Sequence, residues 1–114
     1  MWEKAATPSA GEYPGRMDTA AHAPDQALLA RVSGGDPPAL RALYEGGAGR
    51  ALSIAYRVLG SRSEAEEVVQ ETFVQVWRQA ASYDAGRGGA MAWIATIARS
   101  RAVDRLRTRV ASER

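Results

Sequence analysis

Cysteine is missing from this 114-residue chain, which excludes a disulfide framework, cysteine-ligated zinc, thiol catalysis and iron–sulfur clusters. Histidine occurs once, as His22, in a segment that reads as a tail, so a Ser–His–Asp nucleophile is not expected. Large aliphatic residues are scarce as well. Leu, Ile, Val and Phe together number 19 against 23 alanines, which permits only a small core. Such a composition would suit a disordered chain if the charge were one-sided, but 15 basic side chains nearly cancel 13 acidic ones. No apolar run approaches the ~20 residues of a membrane span. The N-terminus also lacks the apolar stretch of a secretory signal, so the expected location is the cytoplasm, with no membrane insertion. What remains is one compact, alanine-rich helical domain with an appendage.

The appendage is the N-terminus. No Val, Ile, Leu or Phe precedes Leu28, so residues 1–24 cannot bury enough apolar area to offset the entropy of ordering and are expected to be a disordered tail. Met17 offers a second start inside it, and residues 1–16 read either as an extension or as a start-site artefact. From Asp25 the pattern turns helical. Asp25 is placed to cap a short helix carrying Leu28, Leu29 and Val32, ended by Ser33-Gly34-Gly35. Asp36 and Pro37 open a second helix, whose Leu40, Leu43, Tyr44, Ala48, Ala51, Leu52, Ala55 and Leu59 recur at three and four. Gly46, Gly47 and Gly49 in its middle predict a kink or a close helix contact.

Gly60 stops that helix, and Ser63 with Glu66 forms a capping box for a third. Its inward positions are Ala65, Val68, Val69, Phe73, Val76, Trp77 and Ala80; Glu67, Gln70, Glu71, Val74 and Arg78 share the opposite face. A glycine-rich loop from Tyr83 to Gly89 leads to a fourth helix over about 90–109, with Trp93, Ile94, Ile97, Ala98, Ala102 and Leu106 inward. Strand alternation and internal repeats are absent.

The charges are segregated along this chain of helices. Residues 63–77 contain Glu64, Glu66, Glu67 and Glu71 and no cation, while residues 87–109 contain six arginines and the single acid Asp104. Glu67 and Glu71 stand one turn apart, but no histidine accompanies them, so a solvated or partner-facing surface is preferred to a metal site. Neither glycine cluster fits a dinucleotide or P-loop pattern. Arg101, Arg105 and Arg109 fall at i, i+4 and i+8 with Arg99 and Arg107 beside them, a stripe that suits phosphate neutralisation or a merely soluble helix face.

The run Ser-Glu-Ala-Glu-Glu-Val-Val-Gln-Glu-Thr-Phe-Val-Gln-Val-Trp from Ser63 to Trp77 closely resembles region 2.2 of bacterial sigma factors of the extracytoplasmic function (ECF) group. Tyr83-Asp84-x-x-Arg87-Gly88, Ala92-Trp93-Ile94, Ile97-Ala98-Arg99 and Ala102-Val103-Asp104-Arg105-Leu106-Arg107 resemble regions 2.3 and 2.4 in the same order. The resemblance implies an all-α sigma-2 domain of about four helices over 25–110, with 111–114 opening a linker and the sigma-4 domain absent from this chain. It implies docking on the β′ clamp helices of core RNA polymerase through Glu67, Gln70, Glu71 and Val74. It also implies capture of the promoter −10 element as melted single strand by the loop, with Asp84, Arg87, Gly88 and Gly89, and by the fourth helix, with Thr96, Arg99 and Ser100. Arg101 and Arg105 are expected on phosphate, an anti-sigma factor is the implied regulator, and neither catalysis nor a cofactor is expected.

Two other readings stay open: a sigma-like interaction module held by an anti-sigma factor, and an arginine-rich helical RNA-binding domain. The chain departs from many relatives at Ala90, Ala95 and Ser100, where they carry an aromatic residue, tyrosine or a similar residue, and asparagine. These departures predict a roomier base pocket that reads by hydrogen bonds from the loop and Ser100 rather than by stacking, with Trp93 in the core.

Overall fold

The computed structural model describes residues 23–113, so residues 1–22 of the tail expected over 1–24 lie outside the described residues, while Ala23 and Pro24 already belong to the first helix. Among the described residues there are four α-helices: α1 (Ala23–Ser33), α2 (Pro37–Leu59), α3 (Arg62–Gln79) and α4 (Ala90–Ser112), with single 3-10 turns at Ala80–Ser82 and Ala85–Arg87 and no strand. The all-α expectation is met. Among the described residues, no helix is long and apolar enough to cross a membrane.

The punctuation in the sequence sets most boundaries. α1 begins two residues before the expected cap, leaving Asp25 in the first turn, where its charge complements the helix dipole. Pro37 opens α2, but the Asp36 carboxylate makes no cap bond and accepts instead from Arg31 Nε at 2.8 Å. Gly60 ends α2 in the left-handed region at φ 68°, its N–H donating to the Tyr56 carbonyl. The cap of α3 is shifted from its expected place: Ser61, not Ser63, accepts from the Glu64 N–H at 3.3 Å. The tight turn at Gly60 brings the chain into extended conformation at Ser61, so α3 starts there. α4 runs three residues past its expected end and through the start of the expected linker.

Packing follows from alanine. The buried stripe of α2 is Ala39, Leu43, Gly47, Ala51, Ala55 and Leu59, one residue per turn and four of the six small, which lets α3 and α4 approach closely. The larger core cluster joins Leu29, Val32, Leu43, Phe73, Val76, Ile94 and Ile97, and a second joins Leu59, Val68 and Ala102. Thr72, unforeseen from pattern, is fully buried and satisfies its hydroxyl on the Val68 carbonyl at 2.8 Å. Trp77 is not in the core: it is 38% exposed.

The mid-helix glycines of α2 serve close contact. A Cβ on Gly47 would meet Met91 Sδ of α4 at 3.0 Å, and one on Gly46 would meet Met91 Cε at 3.2 Å, whereas Gly49 has nothing within 4 Å. Gly49→Ala is therefore expected to stabilise the domain by about 0.5–1 kcal/mol through helix propensity. Gly47→Val is expected to destabilise it by about 1–3 kcal/mol through overpacking. Thermal melting of the two variants checks the contrast; stabilisation by both would show that Met91 does not need the gap.

Candidate functional site

Two surfaces carry the chemistry-bearing residues. The first lies along α3 and α4, which run antiparallel so that the glutamates of one meet the arginines of the other. Arg105 bridges two carboxylates, Nη1 donating to Glu67 at 2.5 Å and Nη2 to Glu71 at 2.7 Å. Arg101 donates Nε to Gln75 at 2.6 Å and approaches Glu71 at 3.5 Å. Arg109 reaches Glu64 at 3.2 Å and the Leu59 carbonyl at 3.2 Å, placing a cation at the C-terminal end of α2. The Glu67 hydrogen bond, aided by the charges of Glu71 and Glu67 and opposed by slight burial, holds the Arg105 guanidinium above its usual pKa.

This joins what the charge pattern separated. The sequence places an acidic partner face and a basic phosphate stripe on different surfaces; in the structure they are one interhelical row. Glu64 stands at the cap-box position of α3, yet its carboxylate is turned to Arg109. Beside the row, Glu67, Gln70, Glu71 and Val74 do come together, lining a shallow groove of about 440 Å³ with Arg78 and Arg101. Val74 is 48% exposed, an apolar side chain without cover in the middle of that face.

The second surface is the loop. Asp84, Arg87, Gly88, Gly89 and Thr96 line one pocket of about 290 Å³. Asp84 Oδ1 accepts from the Gly86 N–H at 2.9 Å, which folds the loop into a 3-10 turn. Gly88 follows at φ 132°, a backbone conformation that side-chain-bearing residues rarely adopt. The Tyr83 hydroxyl then donates to the Gly88 carbonyl at 2.6 Å and ties the loop's two ends together. Tyr83 and Trp93, whose rings lie 5.5 Å apart at 55°, complete the pocket wall.

The decisive comparison is with known sequences: residues 43–111 match the Sigma-70 region 2 family model. The chain belongs to the sigma-70 region 2 family. It is also similar to the ECF RNA polymerase sigma factor SigK of Mycobacterium tuberculosis and of Mycobacterium bovis, 42% identical over 81 residues, covering 71% of this chain and 43% of the relative. The SigK of Mycobacterium sp. (strain KMS) is 42% identical over 85 residues, 75% of this chain and 44% of the relative. The chain thus spans less than half the length of the curated relatives it matches.

Against this region 2 fold, several expectations for the pocket need correction. Ala90 and Ala95 are buried, at 1% and 8% exposure, so neither is a wall of an open base pocket and their small size does not enlarge one. Ser100 does not line the loop pocket: it lies one turn beyond Thr96 and two beyond Trp93 on the same side of α4, where it lines the adjoining groove with Arg101 and Arg105. Arg99 is exposed and outside the pocket. The rings that Ala90 and Ala95 lack are supplied by Tyr83 and Trp93, with Trp93 both packed on the core and facing the pocket. One signal in the sequence points to Trp93. It lies one turn past the loop's last residue, and helical side chains lean toward their own N-terminus, here toward the loop.

Proposed function

We propose that this region 2 domain acts in transcription initiation, docking on the β′ clamp helices of core RNA polymerase through the exposed face of α3 and holding the promoter −10 element as single strand. The observation that carries the strand-holding half is the Tyr83–Trp93 ring pair set against Arg87 and Gly88 in one pocket. Unpaired bases are held by aromatic stacking, at about 1–3 kcal/mol per base, together with cations that follow the backbone. Of the arginines in the loop and α4, Arg87 and Arg99 make no ion pair among the described residues, so these two are available to phosphate beside the pocket. Loop carbonyls and the Asp84 and Thr96 side chains then supply hydrogen bonds to a base edge.

On this reading the domain performs no catalysis and needs no cofactor or metal. It works in the cytoplasm, where the polymerase is, and residues 25–110 are the functional unit. An anti-sigma factor competing for the α3 face, where Val74 and Trp77 are exposed, is the regulator this reading implies.

The test is binding of core polymerase with this chain to single-stranded oligonucleotides carrying a −10 sequence, beside double-stranded DNA and a structured RNA. Preference for the single-stranded promoter DNA supports the reading, and preference for structured RNA favours an RNA-binding domain. Trp93→Ala is expected to weaken oligonucleotide binding by about ten- to a hundredfold through the lost stack. Tyr83→Phe keeps the ring and loses the tie to Gly88, for an expected loss of about two- to tenfold. If Tyr83→Phe binds like the parent, the loop is held without that tie.

A further inference from the structure

The row Glu67–Arg105–Glu71–Arg101 draws on both halves of the proposed function. The carboxylates assigned to polymerase are the same groups that hold the arginines first expected on phosphate. Arg105 is only 27% exposed and engaged by two carboxylates, while Glu67 at 61% keeps much of its side chain open to solvent. Phosphate approaching Arg105 must compete with two carboxylates already in place. Equally, a basic surface reaching the outer oxygens of Glu67 and Glu71 competes with Arg105 for them. Arg101 has a second, neutral anchor on Gln75, so it keeps one contact when Glu71 is taken.

We propose that Glu67 and Glu71 form an exchange site: in the free domain they hold Arg105 and Arg101, and a docking basic protein surface takes the carboxylates, releasing Arg105 toward nucleic-acid phosphate and leaving Arg101 held by Gln75 alone. The inference rests on the docking of α3 on polymerase proposed above. It makes polymerase binding and phosphate binding mutually reinforcing, and linkage requires each to strengthen the other by the same factor. Because the pairs are partly solvated and individually weak, that factor is about three- to tenfold. The free domain would accordingly bind DNA poorly until it is docked.

The exchange predicts a result that a simple DNA-contact role for the arginines does not. Removing an arginine leaves its carboxylates unopposed, so Arg105→Gln is expected to tighten binding to mycobacterial core polymerase in the absence of DNA by about three- to tenfold. In the reverse direction, Glu67→Gln with Glu71→Gln is expected to raise the affinity of the free domain for a polythymidine oligonucleotide by a similar factor. That gain is measured relative to Glu3→Gln with Glu12→Gln, which changes the net charge equally and lies outside the row. Should Arg105→Gln melt too low to measure, Arg101→Gln retains the Arg105 bridge and carries the same test. The exchange is overturned if both arginine variants dock unchanged or more weakly while Glu71→Arg still abolishes docking. If Glu71→Arg docks normally, the α3 docking reading itself fails, and the exchange with it.

Discussion

Glu71→Arg is expected to weaken binding to core RNA polymerase by about a hundredfold or more and to lower the melting temperature by several degrees. Reversing one charge on a complementary interface costs about 2–5 kcal/mol when the partner charge is left unpaired. The stability loss has a separate cause. Glu71 accepts from Arg105 at 2.7 Å and lies 3.5 Å from Arg101, so an arginine there gathers three guanidiniums with only Glu67 among them. Charge reversal at this position is thus not silent in the fold, as an isolated exposed acid would be. Glu71→Gln separates the two effects, since it removes the charge without adding repulsion. It is expected to lose about tenfold in docking with melting nearly unchanged, because exposed pairs contribute about 0–1 kcal/mol. Binding measured by titration beside thermal denaturation checks both; full docking by Glu71→Gln and Glu71→Arg alike contradicts the assignment of the face.

Phe73→Ala is expected to leave much of the domain unfolded at physiological temperature. Phe73 is the single phenylalanine, is 5% exposed, and meets Tyr44 edge-on at 5.0 Å in the larger core cluster. Its ring also faces Gly47, where a Cβ would lie 3.6 Å from Cζ, so that position of α2 offers no side chain to fill the space. Truncations of this kind cost about 3–5 kcal/mol, against a total of about 5–10 kcal/mol for a domain of this size. The alanine-rich surroundings cannot offset the loss, because they contribute closeness rather than volume. A fall in melting temperature of at least about 15 °C is the expected reading, and a fall of a few degrees would show that the core does not depend on this ring.

Helix ends marked by glycine and proline were legible in the sequence because their backbone preferences are local: Pro37, Gly60 and the Gly34-Gly35 pair act within a turn. Ser61 and Ser63 show where local information runs out. Both are followed three residues later by glutamate, and the choice between them depends on the turn made at Gly60. The clustering of acids and arginines was equally plain, but not that the clusters meet. That depends on the antiparallel register of α3 and α4 and on the glycine gap that seats Met91 against α2. Counting inward positions by helical phase also misplaced Trp77 and gave only half of what Trp93 does. Trp77 lies at the end of α3 with too little structure above it to be covered, and Trp93 is large enough to touch the core and the pocket at once. Of the residues assigned to the base-reading loop, those fixed by chain proximity came together. Ser100, assigned by likeness along the helix, lies on the same side of α4 but one turn beyond the pocket, in the adjoining groove.

The central claim is that this domain gives core polymerase a preference for a particular single-stranded −10 sequence. The most direct measurement presents a pool of single-stranded oligonucleotides, randomised over the −10 positions, to core polymerase alone, to the domain alone and to the two together, and sequences what is retained. The expected result is one enriched motif in the combined sample, lost with Trp93→Ala, and no motif in either single sample. Retention without a motif, or the same motif from core polymerase alone, would contradict the account.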